Sequence, residues 1–427
     1  MPAPAPATKL ESLRFLTPAQ AATVRARHGT PVYVYDQATL RHNAEACLAF
    51  PNAFGLTVRF AMKACPNASV LQFFESLGLH FDASSGWEAE RALRAGLSAQ
   101  KISLATQEMP ENFSDLHRRG ILFTACSLQQ LDRFGRQFPG EKVGVRLNPG
   151  LGSGHSGKTN VGGPGSSFGI WHEWLSHVHQ IVSAHRLQVV KVHTHIGSGT
   201  DPAVWERVAK MTLRLTREFP AVTTVNLGGG FKVGRVAGEK TTDLQKIGKA
   251  VKALFQNHAK ETGSELRLEI EPGTYLVAQA GALVATVQDL VSTGSGGYEF
   301  LKLDAGMTEI LRPSLYGSQH AIVVVPMGRT IKKKETKKYL VVGHCCESGD
   351  LLTPAPGQAE TLAPRLLTRA EIGDLCVIEG AGAYCAGMSA KNYNSFPEAP
   401  EVLLEENGKL RLIRKRQSLD QIVQNEI

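Results

Sequence analysis

The sequence predicts an α/β protein: a (β/α)8 barrel, the TIM-barrel architecture, followed by a second, mostly antiparallel β domain. Two observations carry this expectation. First, apolar, β-branched-rich runs alternate with segments of helical punctuation, and eight such runs precede residue 285: RFAMK (59–63), HFDAS (80–84), KISLA (101–105), ILFTA (121–125), KVGVRL (142–147), VVKVHTHI (189–196), TTVNL (223–227) and RLEIE (267–271). Strands alternating with helices build parallel βαβ units, and eight units favour a closed barrel over an open sheet. Second, after residue 285 the pattern changes to short strands and turns without long helices, as in YEFLKLDAG, KKYLVVGHC and GDLCVIEG.

Taken in order, residues 1–28 read as an N-terminal tail and helix. The opening MPAPAPA is Pro/Ala-rich and lacks the basic start and apolar core of a signal peptide. Residues 29–40 contain TPVYVYD (30–36), a strand that joins the β domain. Residues 41–285 form the barrel and 286–427 the β domain. Within the barrel, Ser85-Gly-Trp-Glu88 matches a capping box, and the amphipathic run after it ends at Gly96.

Composition narrows the function classes. A chain of 427 residues with 42% hydrophobic content buries enough core for two domains. The formal net charge of +8 is concentrated in Lys332, Lys333, Lys334, Lys337 and Lys338, and in Arg411, Arg414, Lys415 and Arg416. No aromatic residues interleave there for base stacking, so these clusters read as solvated hairpin and tail surface, with no nucleic-acid partner expected. The seven cysteines (Cys47, Cys65, Cys126, Cys345, Cys346, Cys376 and Cys385) lack any C-x-x-C spacing. No metal is expected, and a reducing cytoplasm fits best. No apolar run approaches the ~20 residues needed to span a bilayer, so no membrane role is expected.

The residue types that carry chemistry fall at the C-terminal ends of the expected strands, where a barrel's loops form its functional face. Lys63 ends the first strand and Asp82 sits at the second. His195 and Ser198 follow the sixth, Gly228, Gly229 and Gly230 follow the seventh, and Glu271-Pro-Gly273 ends the eighth. Glycines after strand seven let backbone N–H groups cradle a phosphate, a common use of the loops after strands seven and eight. Singly, a triple glycine is also a tight turn and a strand-end lysine also a surface charge. Their joint placement at one mouth is what points to a phosphate-bearing ligand.

The segments TPVYVYD, FAMKACPN, FDASSGWE, HTHIGSG, NLGGG, EIEPG, LDAGM, LRPSLYG, CESGD and GAYCAGMSAKNYNS occur in this order from about residue 30 to the C-terminus. They resemble those of diaminopimelate decarboxylases, among the alanine-racemase-type barrel enzymes that include ornithine decarboxylase. The resemblance implies pyridoxal 5'-phosphate as cofactor, meso-2,6-diaminopimelate as an amino-acid substrate, and a homodimer with two shared active sites. Position by position, it makes Lys63 the lysine that condenses with the cofactor aldehyde and His195 the residue stacked on the pyridine ring. Asp82 belongs to the cofactor site; Ser198, Gly228 to Gly230, Gly273 and Tyr384 match phosphate contacts. A carboxylate at Glu271 keeps the pyridine nitrogen protonated and the ring an electron sink, which favours decarboxylation, whereas racemases of this fold carry arginine there.

Cys346 and Glu347 resemble the pair delivered from the partner subunit, the thiol near the α-carbon and the carboxylate toward the distal amino group. Cys345 reads as a small buried hydrophobe. Arg312, with Tyr316 and Tyr384, fits the distal carboxylate through bidentate geometry. One departure stands out: Thr274 occupies the position after EPG where the family usually has arginine. Lys158, Thr159 or Ser166, in a Gly-rich stretch, are candidates to compensate. The alternative within the class is decarboxylation of another basic amino acid or a carboxylated polyamine. A different class is a non-catalytic cofactor carrier or partner-binding protein, against which Lys63, Glu271 and Cys346 argue.

Overall fold

The computed structural model describes residues 10–151, 162–328 and 335–427. The MPAPAPA segment, Lys158, Thr159 and Lys332 to Lys334 lie outside them. The chain forms two compact units: residues 41–232 with 240–276, and residues up to 40 with 233–239 and 277–427.

The first unit is a closed barrel of eight parallel strands: β1 (Leu56–Ala61), β2 (His80–Ala83), β3 (Ile102–Leu104), β4 (Leu122–Ala125), β5 (Lys142–Asn148), β6 (Gln188–His193), β7 (Thr224–Asn226) and β8 (Arg267–Ile270). Each pairs in parallel with its neighbours, and β8 closes on β1. All eight expected strands are present, but several stop early. β1 ends at Ala61 and a 3-10 turn, Met62–Ala64, follows. That turn lifts Lys63 out of the barrel wall, so it is exposed between buried neighbours. β6 ends at His193 and β8 at Ile270, which leaves His195 and Glu271 on the connections above the sheet.

Alternation along the strands decides what fills the barrel. Glu269 and Glu271 are two residues apart, as are Lys191 and His193, and all four are buried, so they share the inward face. Gly144 on β5 makes room for them: a Cβ there would lie 2.7 Å from Thr124 Oγ1 and 3.1 Å from Lys191 Cε. The helix Gly86–Arg94 starts as its sequence suggests, with Ser85 Oγ accepting from Glu88 N–H (3.1 Å). The reciprocal bond shifts by one residue, since Glu88 Oε2 accepts from Ser84 N–H (2.7 Å) instead of from the N-cap itself.

The second unit is a mostly antiparallel sheet. Its central strand, Gly281–Ser292, pairs with Val32–Asp36, Glu299–Leu303 and Leu375–Glu379. Two pairings are parallel: Val32–Asp36 with Glu401–Leu404, and Glu299–Leu303 with Thr336–Val342. The TPVYVYD strand therefore sits inside this sheet, bonded on both edges. Val32, Val34, Val284, Val377 and Val402 pack with Leu16 and Val24 of the N-terminal segment into one apolar cluster. The basic C-terminal residues are engaged internally: Arg411 with Glu405 (2.6 Å) and Arg414 with Glu398 and Glu401 (2.8 Å each). Among the described residues no helix is long and apolar enough to cross a membrane.

Candidate active site

Two ionic layers occupy the barrel. In the lower one, Glu269 receives Arg59 Nη2 (2.7 Å) and lies 3.5 Å from Lys191 Nζ, which also donates to Ser103 Oγ (2.9 Å). Burial alone would raise the Glu269 carboxyl, but Lys191 and Arg59 outweigh it and hold it at about 2. The upper layer contains Glu271, buried, with His193 Nε2 3.4 Å from its Oε2. Asn226 joins the layers: its Nδ2 donates to Glu271 Oε1 (2.5 Å) and Glu269 Oε2 (3.2 Å). Burial, reinforced by the charges of Arg146 and Lys191, pushes the His193 imidazole well below its usual range, so it stays neutral.

The Asn226 side-chain oxygen Oδ1 reaches upward as well, accepting from Gly228 N–H (2.7 Å) at the start of the glycine triplet. Gly228 and Gly230 adopt φ of +70° and +98°, the left-handed region that favours glycine. A Cβ on Gly229 would lie 2.2 Å from the Glu271 carbonyl oxygen, and one on Gly230 2.3 Å from the Gly197 carbonyl oxygen. Only bare backbone fits. Among the described residues, no backbone acceptor takes the N–H groups of Gly229 and Gly230, which leaves them to bind an anion. Ser198 adjoins this loop, its Cα 3.3 Å from the same virtual Cβ of Gly230.

His195 packs its ring against the triplet, 2.7 Å from where a Gly228 Cβ would be. Gly197 N–H donates to its Nδ1 (2.9 Å). Burial, then Arg146, holds its pKa well below the usual imidazole range, so the neutral ring carries its proton on Nε2. Lys63 Nζ donates to Ser84 Oγ (3.2 Å). Asp82 is buried on β2 with Oδ1 unpartnered, and burial, then the Glu271 charge, raises its carboxyl well above the usual value. Gly273 is buried, and half-buried Thr274 begins the short helix Thr274–Val277. Ser166 is turned onto its own loop, with Oγ accepting from Phe168 N–H (3.3 Å).

The remaining candidates lie in the β unit. Asp350 shapes the CCESGD loop by accepting from Met307 N–H (2.7 Å) and Cys345 N–H (2.9 Å), and a Cβ on Gly306 or Gly343 would strike its carboxylate at 2.2 Å. Cys345 is half-buried, its thiol pushed up to about 12 by burial and Asp350. Cys346 and Glu347, by contrast, project outward and are exposed. Arg312 opens the helix Arg312–Tyr316, its guanidinium 5.7 Å from the Tyr316 ring and 6.0 Å from the Tyr384 ring. Tyr384 has φ +56°. The segment before it is pressed onto the central strand, since a Cβ on Gly281 would lie 2.3 Å from Gly382 Cα.

The structure thus brings Lys63, Asp82, His195, Ser198, the glycine triplet, Glu271, Gly273 and Thr274 into the barrel unit, and Arg312, Tyr316, Cys346, Glu347 and Tyr384 into the β unit. Sequence reasoning missed Arg59, Lys191, His193, Asn226 and Glu269 beneath the site. The available signal was charge at alternate positions of strands, in RLEIE and VVKVH, which is unusual where both faces of a strand are covered.

The barrel unit fits a phosphorylated aldehyde cofactor on its own features: an exposed amine, a backbone anion cradle that no side chain could enter, a flat neutral imidazole and a buried carboxylate. The class is that of the pyridoxal-dependent decarboxylases: the model for the pyridoxal binding domain of those enzymes matches residues 40–278. The diaminopimelate decarboxylase of Escherichia coli K12 is 38% identical over 413 residues, covering 94% of this chain and 95% of its own. A crystal structure of a diaminopimelate decarboxylase superposes with a TM-score of 0.89 at 36% identity, covering 96% of both chains. The Helicobacter pylori diaminopimelate decarboxylase, solved in complex with L-lysine, has a TM-score of 0.81 at 27% identity and covers 95% of this chain and 98% of its own. The chain belongs to the diaminopimelate decarboxylase family.

Proposed function

We propose that this protein decarboxylates meso-2,6-diaminopimelate to L-lysine and CO2, the last step of lysine biosynthesis, as a cytoplasmic homodimer. The observation that carries the reading is Glu271: a buried carboxylate, fixed by Asn226 and next to a neutral histidine, with no cation bonded to it among the described residues. Bound pyridoxal phosphate supplies an electron sink for the carbanion left when CO2 departs. Lys63 would hold its aldehyde carbon, Ser198 with Gly228 to Gly230 and Gly273 its phosphate, and the His195 ring one face of the pyridine. Glu271 would keep a proton on the ring nitrogen, and Asp82 would stand beside it in the cofactor site.

Tyr384 adds a hydroxyl toward the phosphate. Arg312 and Tyr316 orient the substrate through its distal carboxylate. The exposed Cys346 and Glu347 of each chain serve the active site of the other subunit, Cys346 Sγ as proton donor to the α-carbon and Glu347 toward the distal ammonium. Seven free thiols support a reducing compartment. The uncharged Thr274 favours a second reading, decarboxylation of another basic amino acid or a carboxylated polyamine.

The test is CO2 release and lysine formation by the cofactor-loaded protein offered meso-diaminopimelate beside lysine, ornithine, arginine and carboxynorspermidine. Clear preference for diaminopimelate is expected. Turnover of only a substrate without the distal carboxylate would refute the assignment and leave the second reading.

A further inference from the structure

Arg235 is a buried cation for which the reading of the sequence found no use. It lies in the segment Val233–Glu239 of the β unit, and the surrounding backbone fixes its course. Its N–H donates to Glu239 Oε2 (2.8 Å), its carbonyl oxygen accepts from Arg14 Nη2, and its Nε donates to the Gly380 carbonyl oxygen (3.1 Å). The side-chain stem runs along Gly380, where φ is +69° and a Cβ would lie 3.1 Å from Arg235 Cγ. The end of the guanidinium is unanswered: Nη2 is buried and has no hydrogen-bond partner.

Its neighbours do not supply the missing charge. Arg312 is also cationic, with Nη2 on Ser318 Oγ (3.3 Å) and a buried, unpartnered Nε. Burial, followed by the Arg312 charge, brings Arg235 down to about 9. His320 Nδ1 donates to the Glu379 carbonyl oxygen (3.0 Å), and burial with Arg235 and Arg312 keeps the ring uncharged. Burial raises the Cys385 thiol to about 11, which leaves it neutral. Among the described residues neither Arg235 nor Arg312 forms a salt bridge. Glu239, whose charge does act on Arg235, is bonded to its backbone N–H. Two like charges with unused donors and no counter-ion among the described residues are costly to bury, and the unused N–H groups of a guanidinium suit a planar anion.

We infer that Arg235 acts with Arg312 to bind the carboxylate at the non-reacting end of the amino-acid substrate, and so determines specificity in a chain that has Thr274 after EPG. The inference rests on the proposed reaction, whose product L-lysine keeps that distal carboxylate while cadaverine lacks it.

The experiment is equilibrium titration of the full-length, cofactor-loaded protein with L-lysine and with cadaverine. The wild type binds lysine at least tenfold more tightly. Arg235→Gln raises the lysine Kd by about 10–100-fold, the loss expected for a charge-assisted hydrogen-bonded contact. It leaves the affinities for cadaverine and for the cofactor unchanged, and Tm is unchanged or higher because an uncompensated buried charge is gone. Arg235→Lys, which keeps the charge should the glutamine variant not fold, gives a smaller loss confined to lysine. Equal losses for lysine and cadaverine with a lowered Tm would make Arg235 a structural residue, and weakened cofactor binding alone would make the anion a phosphate; either overturns the inference. Loss of lysine preference in Arg312→Gln but not in Arg235→Gln overturns it while the proposed reaction stands. A wild type that does not prefer lysine overturns both.

Discussion

Replacing Glu269 by glutamine removes the one carboxylate that two buried cations share. In the folded protein this group is held at about 2, against an ordinary glutamate value of 4.5. A gap of about two and a half units, at ~1.36 kcal/mol per unit, corresponds to about 3 kcal/mol of stability at neutral pH. Breaking a buried ion pair from one side gives a similar ~3–5 kcal/mol. Because the folded value is depressed, the contribution is complete above the unfolded value and disappears as pH falls toward 2. The deficit of Glu269→Gln is therefore constant from pH 7 to about 5 and smaller by roughly a quarter at pH 4. Urea unfolding of the cofactor-free protein, followed by tryptophan fluorescence, reads it out. All four tryptophans, Trp87, Trp171, Trp174 and Trp205, belong to the barrel unit, and Trp205 is buried and stacked on Phe231 at 4.3 Å. A deficit under about 1 kcal/mol at pH 7 would place Glu269 among solvated surface pairs; that, or a deficit growing toward pH 4, refutes the reasoning.

Three further outcomes are expected. Lys63→Ala loses the absorption band of covalently held cofactor and CO2 release, while its unfolding free energy from urea titration stays within about 0.5 kcal/mol of wild type because the side chain is exposed; a retained band would move the attachment elsewhere. Gly229→Ala pushes a methyl group to 2.2 Å from the Glu271 carbonyl oxygen, so the loop shifts at ~1–3 kcal/mol and cofactor Kd rises at least about tenfold; full affinity at an unchanged midpoint would sink the cradle assignment. Glu271→Gln relieves a buried charge in the cofactor-free protein and removes the partner of the ring proton in the loaded one. Cofactor therefore raises its Tm less than that of wild type, and an equal rise in both would refute the pairing.

The elements that sequence made legible are those whose signal is local. Eight apolar runs in alternation with helices specify the barrel, and TPVYVYD was recognisable as a strand of the other unit because Val32 and Val34 need cover. Strand ends were less legible, since the turn at Met62–Ala64 and the stop at His193 are imposed by the connections above the sheet and not by propensity. Lys63, His195 and Glu271 were legible as residue types near expected strand ends, while their exposure or burial follows from where the strands stop. Asn226 and Arg235 escaped for a different reason. A neutral amide in TTVNL and an arginine in FKVGRV look ordinary until the side chains of other strands are set around them.

The charged barrel interior explains why the bridging residue is an amide. The two cations of the lower layer, Arg59 and Lys191, both lie against Glu269, and among the described residues neither forms an ion pair with the carboxylate above. Asn226 holds both carboxylates in place by donating hydrogen bonds, yet adds no positive charge. An aspartate there would repel them, and a lysine would neutralise Glu271. His193 is kept neutral by burial and by the charges of Arg146 and Lys191, so it adds no positive charge beside Glu271. A buried carboxylate held by an amide, with no ion pair to Lys or Arg among the described residues, is a preformed partner for a protonated ring nitrogen. The ionic layer beneath the site therefore has a function that packing alone could not perform: it fixes Glu271 without satisfying it.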